Sequence, residues 1–177
     1  MMQLSGVSAL ERTSFADIPC SLARSLEAIG DWWSPLILRD LFLGVRRFGE
    51  LVEDLGISRN LLTRRLVALE EAGIVRREPY ETRPPRYEYA LTEAGLELVP
   101  ILVALTAWGD RWKAPRKGAP IEFVHTDCGH RLRPRIVCAD CSGEISHDNL
   151  RPMPGPGARA ARGTKVIARK LAGTAGL

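Results

Sequence analysis

The sequence predicts a mainly α fold with a small β component (α+β), in which one β-hairpin follows a group of short helices. Three observations support this prediction. Apolar residues recur at helical spacing from Cys20 to Gly73, and from residue 74 to residue 92 they alternate as in strands. Farther along, three of the four cysteines lie between His125 and Cys141. A chain of 177 residues has room for one domain with a full core and one small module beside it.

Composition and charge indicate a globular protein but do not identify its partner. Apolar residues make up 45% of the sequence, and no apolar run reaches the roughly 18 residues of a membrane span. The N-terminus does not resemble a secretion signal, so we expect a cytoplasmic protein with reduced cysteines and no membrane contact. Six of the 25 basic residues and none of the 21 acidic residues lie after residue 150, so residues 1–150 carry a net charge of −2. Nucleic-acid binding must therefore be argued from local charge.

The sequence divides into four parts. Residues 1–17 lack periodicity and predict a loose N-terminal arm, whereas residues 18–115 hold the helices and the hairpin. Residues 121–150 contain the Cys/His segment. Residues 151–177 are basic and rich in Pro and Gly at their start, which predicts a disordered tail.

Two short amphipathic helices are predicted between Cys20 and Leu43, with a break at Gly30. Apolar residues in the first of them are four and three positions apart, the spacing of one helix face. Ser34 followed by Pro35 fits the N-cap and the first residue of the second helix.

The next two helices predict a helix-turn-helix. FGELVEDL, residues 48–55, fits one short helix, and Gly56 is a natural left-handed stop. Ser58 is a good N-cap for the following helix, which ends at Gly73. The inner face of that helix carries Leu62, Leu66 and Leu69. Two short helices joined by a tight turn that contains glycine are typical of this motif.

A hairpin and a long helix complete the domain. IVRREPY and RYEYALT alternate as strands do, and the two prolines of residues 81–85 predict a stiff, exposed tip. A hairpin directly after a helix-turn-helix is a wing, so the predicted fold is a winged helix-turn-helix. The helix that starts at Thr92 carries more apolar surface up to Trp112 than one small domain needs, and Pro100 is expected to kink it.

The outer face of the second motif helix holds the candidate DNA-binding residues. They are Arg59, Asn60, Thr63 and Arg64. Arginine can pair with guanine and asparagine with adenine through two hydrogen bonds, and Ser58 at the helix start suits a phosphate. Arg83 at the hairpin tip and Arg86 beside it suit a minor groove or a phosphate.

Any single arginine is equally well an ordinary solvated charge. We interpret Arg65, Arg76 and Arg77 as surface charges of this kind or as weak phosphate contacts. The complete order of helix, Gly turn, Ser cap, basic helix and basic hairpin tip instead favours double-stranded DNA as the partner.

These motifs resemble the HxlR-type winged helix-turn-helix transcriptional regulators. The resemblance covers Cys20 to about Trp112 and rests on dense motifs, namely C-S-L-A-R-S-L-E-A-I-G, W-x-P-L-I-L-R-D-L, R-R-F-G-E-L, G-I-S-R-N-L-L-T-R-R-L-x-x-L-E-x-A-G-I-V and Y-E-Y-A-L-T-E-A-G. It implies a homodimeric regulator, most often a repressor, on a palindromic operator. The resemblance also implies dimerisation through the N-terminal helix and residues 93–112.

The chain departs from the family pattern at two places. Cys20-Ser21 stands where the family usually has Cys-Pro, and Gly30-Asp31-Trp32-Trp33 stands where it usually has Gly-Lys-Trp, so an acidic group replaces a basic one. Some family members sense oxidants or electrophiles through the cysteine at position 20. Cys20 is therefore a candidate redox sensor, and a small-molecule or redox effector fits the resemblance. We favour the alternative, a small hydrophobic residue on an apolar helix face.

The Cys/His segment predicts a structural zinc site. His125-x2-Cys128 and Cys138-x2-Cys141 are separated by nine residues, and each pair can be aimed at one ion by one tight turn. Three Cys and one His would close the tetrahedral shell of Zn²⁺, which predicts a zinc-ribbon-like module and not a catalytic centre. The alternatives are His130 in place of His125, a redox disulfide in the second pair, a regulatory zinc ion, or a site without metal.

Two other classes of function compete with an operator-binding regulator. A winged helix followed by a zinc ribbon also resembles archaeal general transcription factor E, which binds polymerase and not an operator. That resemblance lacks the dense match of sequence motifs that supports the HxlR-type family. An enzyme is not expected, because the sequence offers no nucleophile–base pair and no open metal site. His147 beside Asp148 fits a loop.

Overall fold

The computed structural model describes residues 14–113 and 117–174, so residues 1–13 of the predicted arm and 114–116 after the long helix lie outside the described residues. Its elements are α1 (Ser21–Ile29), α2 (Ser34–Phe42), α3 (Phe48–Leu55), α4 (Arg59–Glu71), β1 (Val75–Thr82), β2 (Pro85–Leu91), α5 (Glu93–Trp112) and α6 (Lys165–Thr174). Across the described ranges, every helix is too short or too polar to traverse a bilayer.

The described residues fall into two compact units. The first combines residues 14–30, which include α1, with residues 152–174, which include α6. The second comprises residues 31–151 and therefore holds the helix-turn-helix, the hairpin, α5 and the Cys/His segment.

The part of the predicted loose arm that the structure describes is attached to α1. The Oγ of Ser14 and the backbone N–H of Phe15 donate hydrogen bonds to the carboxylate of Glu27 at 3.2 and 2.8 Å. These contacts are polar and therefore leave no apolar periodicity by which they could be predicted. The arm is thus in contact with α1 at Ser14 and Phe15, and a loose N-terminal arm stays a prediction.

The predicted disordered tail contains α6. Thr164 precedes this helix, its Oγ1 accepts the backbone N–H of Ala161 at 3.2 Å, and its carbonyl accepts the N–H of Ala168 at 2.8 Å. The prediction averaged the Pro- and Gly-rich start of the tail with the good helix formers that follow it. Disorder is thus the wrong prediction for Lys165–Thr174.

Helix α2 begins one residue earlier than predicted. Trp33 is the N-cap, and Ser34 and Pro35 are the first two helical residues. The reason is Asp31, whose Oδ1 accepts the backbone N–H groups of Trp33 at 2.9 Å and of Ser34 at 3.1 Å. A carboxylate upstream thus satisfies the N–H groups that the first helical turn leaves free. The buried hydroxyl of Ser34 also donates to Asp31.

The helix-turn-helix has the predicted bounds. Helix α3 spans the predicted residues, Gly56 is left-handed with a φ of 60°, and the Oγ of Ser58 accepts the N–H of Leu61 at 3.3 Å. The leucines predicted to face inward on α4 are at most 1% exposed; they are Leu62, Leu66 and Leu69. Burying each such side chain contributes roughly 1.5–3 kcal/mol, which fixes the opposite face of α4 toward solvent.

The wing has a shorter tip than predicted. Strands β1 and β2 pair antiparallel from Val75 opposite Leu91 to Thr82 opposite Pro85. Tyr80 is skipped by an irregularity within the ladder, and Arg83 and Pro84 lie beyond its end. Pro85 joins the ladder because a proline is tolerated as the first residue of a strand. The predicted tip of residues 81–85 is therefore reduced to two residues.

Helix α5 starts in close contact with the base of the wing. The Oγ1 of Thr92 accepts the N–H of Gly95 at 3.2 Å and donates to the carbonyl of Gly73 at 2.6 Å. A side chain at Gly95 would collide with the carbonyl oxygen of Ile74, so glycine is needed for this close approach. The wing and α5 are thereby fixed to the end of α4.

Candidate nucleic-acid interface and Cys/His segment

The predicted DNA-binding residues of α4 are all exposed, as is its N-cap Ser58. They are Arg59, Asn60, Thr63 and Arg64. Thr63 donates its hydroxyl to the carbonyl of Arg59 at 2.9 Å, which fixes its side chain along the helix. Within residues 14–113 and 117–174, neither Arg64 nor Asn60 has a side-chain hydrogen bond or ion pair, so both are available to an external partner.

Arg59 connects the two helices of the motif. Its guanidinium carbon lies 5.6 Å from the centroid of the Phe48 ring, at the start of α3. An arginine over an aromatic face is held by cation–π attraction while its N–H groups remain free to donate. Arg59 is therefore oriented at the N-terminal end of α4 and still able to bind.

The two predicted wing arginines differ in availability. Arg83 is exposed at the tip and lacks a side-chain partner among the described residues. Arg86 is also exposed, but its Nε lies 3.2 Å from a carboxylate oxygen of Glu81. The structure thus favours Arg83 over Arg86 as the wing's contact with an anion.

The sequence did not identify a concave basic surface between the wing and the start of α3. Its lining residues are Arg47, Phe48, Gly49, Arg77, Tyr80, Pro85, Arg86, Tyr87 and Tyr89. Arg47 lies over the Tyr80 ring at 4.7 Å, and Arg77 lies over the Tyr87 ring at 4.4 Å. Phe48 belongs both to this surface and to the contact with Arg59, so the surface continues to α4. The signal in the sequence was the Arg46-Arg47 pair directly before α3, combined with tyrosines at alternate positions of β2.

Arg65 is turned away from this interface. Its Nε lies 3.2 Å from Oδ1 of Asp31, and the two side chains are 25% and 8% exposed. The interpretation of Arg65 as a plain surface charge is therefore wrong, because a half-buried ion pair holds α4 against the start of α2.

Cys20 occupies the N-cap position of α1 and is half-buried. The guanidinium of Arg24, one turn along the helix, donates to the Oγ of Ser21 at 2.9 Å. That contact directs the positive charge of Arg24 toward a hydroxyl group. The redox role of Cys20 and its alternative as a packing residue both stay predictions.

The four predicted metal ligands lie in two pairs. Nδ1 of His125 is 3.3 Å from Sγ of Cys128, whereas Cys138 and Cys141 share a second turn. In the described ranges, no three His, Cys, Asp or Glu side chains are grouped closely enough to hold a metal ion. Each pair fits half of a zinc shell, but the arrangement shown is not the closed four-ligand set.

Hydrogen bonds lower the pKa of one thiol in each pair. The backbone N–H of His130, followed by the side chain of His125, lowers the pKa of Cys128 to about 7. The backbone N–H of Cys141 similarly lowers the pKa of Cys138. The hydrogen bond with Cys128 raises the pKa of His125. Backbone donors aimed at sulfur are the environment in which a thiolate acts as a ligand or a nucleophile.

Sequence comparison finds regulators of transcription. A family model described as HxlR-like helix-turn-helix matches residues 28–117. An uncharacterized HTH-type transcriptional regulator of Mycobacterium tuberculosis (strain H37Rv) is 46% identical over 140 residues, or 79% of this chain and 89% of the relative. An uncharacterized HTH-type transcriptional regulator of Synechocystis is 43% identical over 94 residues, or 52% of this chain and 70% of the relative.

Solved structures give the same result. PA1607, a candidate transcription factor, is 34% identical with a TM-score of 0.72, and the match covers 81% of this chain and 100% of that one. PA1374 of Pseudomonas aeruginosa, also a candidate transcription factor, is 38% identical with a TM-score of 0.55 over 86% of this chain and 100% of that one. The matched family and these similar proteins are regulators of transcription and not enzymes. The chain belongs to the HxlR-like helix-turn-helix family and is a DNA-binding transcriptional regulator.

Proposed function

We propose that the protein is a homodimeric repressor that binds a palindromic operator, with α4 of each subunit in a major groove. The observation that carries this proposal is the outer face of α4, where exposed basic and amide side chains lie opposite buried leucines. Residues 58–66 contain three arginines and no acidic residue, although residues 1–150 as a whole are slightly acidic. Arg64 and Asn60 carry the donors that read guanine and adenine edges.

The concave basic surface and the wing would hold the phosphate backbone beside that groove. Arg47 and Arg77 are oriented by tyrosine rings and remain exposed, so their charges reach a phosphate without prior loss of an ion pair. Arg83 at the tip of the wing suits the neighbouring minor groove. Such contacts fix the register of the protein on DNA, whereas α4 supplies the preference for bases.

Apolar surface on α5 supports a homodimer. One stripe of this helix, at spacings of four, three and four residues, is 54–61% exposed and consists of Ile101, Leu105, Trp108 and Trp112. Helix α1 also exposes Leu22 and Leu26, at 67% and 40%. An exposed apolar surface on a helix marks an interface, and a twofold dimer places two recognition helices about one DNA turn apart.

Footprinting of the tagged protein across its own genome tests the proposal. We expect a small number of sites that share a palindrome with half-sites about 10 base pairs apart. Deletion of the gene should raise transcription next to those sites. Occupancy at most promoters without a shared sequence would instead indicate a general transcription component, and lowered transcription after deletion would identify an activator. As a regulator of chromosomal genes, the protein would act in the cytoplasm.

A further inference from the structure

Residues 117–150 form regular turns without a hydrophobic core. Every residue of this stretch is exposed or half-buried, and Val124, Ile136 and Val137 are at least 50% exposed. A segment of about 30 residues cannot bury enough apolar surface to stabilise itself. Its order therefore requires a further source of stability.

The first turn of this stretch has a specific backbone pattern. The N–H of His125 donates to the carbonyl of His130 at 2.9 Å, and the N–H of Gly129 donates back to the carbonyl of His125 at 2.8 Å. Gly129 is left-handed, with a φ of 69°. A β-bridge between Val124 and Arg131 closes the turn.

The second turn repeats both of these hydrogen bonds. The N–H of Cys138 donates to the carbonyl of Gly143 at 2.9 Å, and the N–H of Ser142 donates back to the carbonyl of Cys138 at 2.8 Å. Ser142 is left-handed, with a φ of 56°, although it is not glycine. A β-bridge between Val137 and Glu144 closes this turn. A left-handed conformation is unfavourable for a non-glycine residue by itself, so the surrounding structure must hold the backbone of Ser142 in this conformation.

The repeat assigns equivalent positions in the two turns. A shift of 13 residues places His125 on Cys138 and Cys128 on Cys141. The same shift places His130 on Gly143, a position that has no side chain to bind a metal. Each turn thus offers two ligands at its first and fourth residues, and His130 is outside that pattern.

We propose that the two turns bind one structural Zn²⁺ through His125, Cys128, Cys138 and Cys141, and that His130 is not a ligand. One imidazole and three thiolates match the tetrahedral N/S preference of zinc and leave no open position. Because the two pairs are separate in the structure, the ion draws the turns together. Its binding free energy then replaces the hydrophobic core that the segment lacks.

Closure of the turns would act on the neighbouring helices. The chain between the turns, with Leu132 and Ile136, lines an apolar groove together with Val99 and Ile101 of α5. Ahead of the first turn, Phe123 packs on Phe42 at the end of α2, with 6.3 Å between ring centroids. Zinc would thus clamp this segment against α5.

The test measures metal content on the full chain, purified in reducing buffer without chelator. We expect one zinc per chain by elemental analysis, and Co²⁺ in place of zinc should show the intense visible bands of a tetrahedral thiolate site. Cys138→Ser and His125→Ala should each lose the metal, and His130→Ala, as the matched control, should retain it. Zinc removal should also expose residues 121–150 to proteolysis.

Three results would overturn the proposal: wild-type protein that contains no zinc and gives no Co²⁺ bands, a wild-type level of zinc in Cys138→Ser, or loss of zinc in His130→Ala with retention in His125→Ala. The Co²⁺ spectrum of the wild type decides the matter even if a variant fails to fold. This inference does not depend on the operator, because DNA binding by the same samples is a separate measurement.

Discussion

Asp31 and Arg65 form an ion pair, with 3.2 Å between Oδ1 of the carboxylate and Nε of the guanidinium. The same carboxylate caps α2 through two backbone N–H groups, so one acidic residue joins the start of α2 to the recognition helix. Asp31 occupies the place where the family usually has a basic residue. In this chain, the acidic residue at this position therefore orients α4.

Arg65→Ala tests this positioning role. Removal of the guanidinium leaves Asp31 without its cation in a largely buried position, and we expect a loss of about 1–2 kcal/mol in the free energy of unfolding. DNA affinity should fall, but its dependence on salt should not change, because the guanidinium of Arg65 is already paired with Asp31. Chemical denaturation and a salt series of binding isotherms measure the two effects.

Arg64→Ala is the matched control for Arg65→Ala. Arg64 is adjacent in sequence and exposed, so its removal should change the free energy of unfolding by less than about 0.5 kcal/mol and still weaken DNA binding. Unchanged unfolding in Arg65→Ala together with a reduced salt slope would show that Arg65 contacts DNA and does not position α4.

Arg83→Ala tests the tip of the wing. Arg83 is exposed and free of described partners, so its loss should weaken binding and reduce the slope of log K against log salt by about 0.9 per subunit if it meets one phosphate. Arg76→Ala is the control, because Arg76 already donates to Glu78 and to the carbonyl of Leu91 at 2.6 and 2.7 Å. Equal changes of slope in both variants would contradict a specific role for the tip.

Tyr80→Ala tests whether the concave basic surface orients Arg47. Loss of the ring removes a cation–π contact of about 0.5–1 kcal/mol but leaves Arg47 in the chain. DNA affinity should therefore fall roughly two- to fivefold. Tyr80→Phe retains the ring and should bind nearly as wild type. If the two variants bind alike, Arg47 acts without the ring or does not act at all.

Ile101→Glu tests the apolar stripe of α5 as the dimer interface. A charge at this position would be buried without a partner in the dimer, so sedimentation should show monomers at concentrations where the wild type is dimeric. Leu96→Glu is the control, since Leu96 is comparably exposed but does not lie on the stripe. A stable dimer in Ile101→Glu would place the interface elsewhere.

Most of the fold was predictable, because local rules determine it. The stop at Gly56, the cap at Ser58 and the buried face of α4 follow from short-range spacing, and the structure confirms each of them. The predictions of the wing tip, of disorder at Lys165–Thr174 and of the α2 N-cap were inaccurate for different reasons. Composition was averaged over the tail, and at the wing tip Pro85 joins the ladder as the first residue of β2. The cap of α2 depends on the side chain of Asp31, which the motif pattern did not consider.

The site was predictable only where it lies on one element. The exposed face of α4 follows from helical periodicity alone. The contacts of Arg47 with Tyr80, and of Arg65 with Asp31, join residues that are more than thirty positions apart. Such pairs depend on how the elements pack, which a single sequence does not contain.

Base recognition by α4 is tested most directly by measuring the affinity of the protein for two DNA duplexes. One duplex carries the footprinted palindrome, and the other carries the same bases in scrambled order. Fluorescence anisotropy at physiological salt should give at least about a thousandfold tighter binding to the palindrome. In Asn60→Ala that preference should diminish while affinity for the scrambled duplex is unchanged, because Asn60 is uncharged. Equal affinity of the wild type for both duplexes would contradict the account.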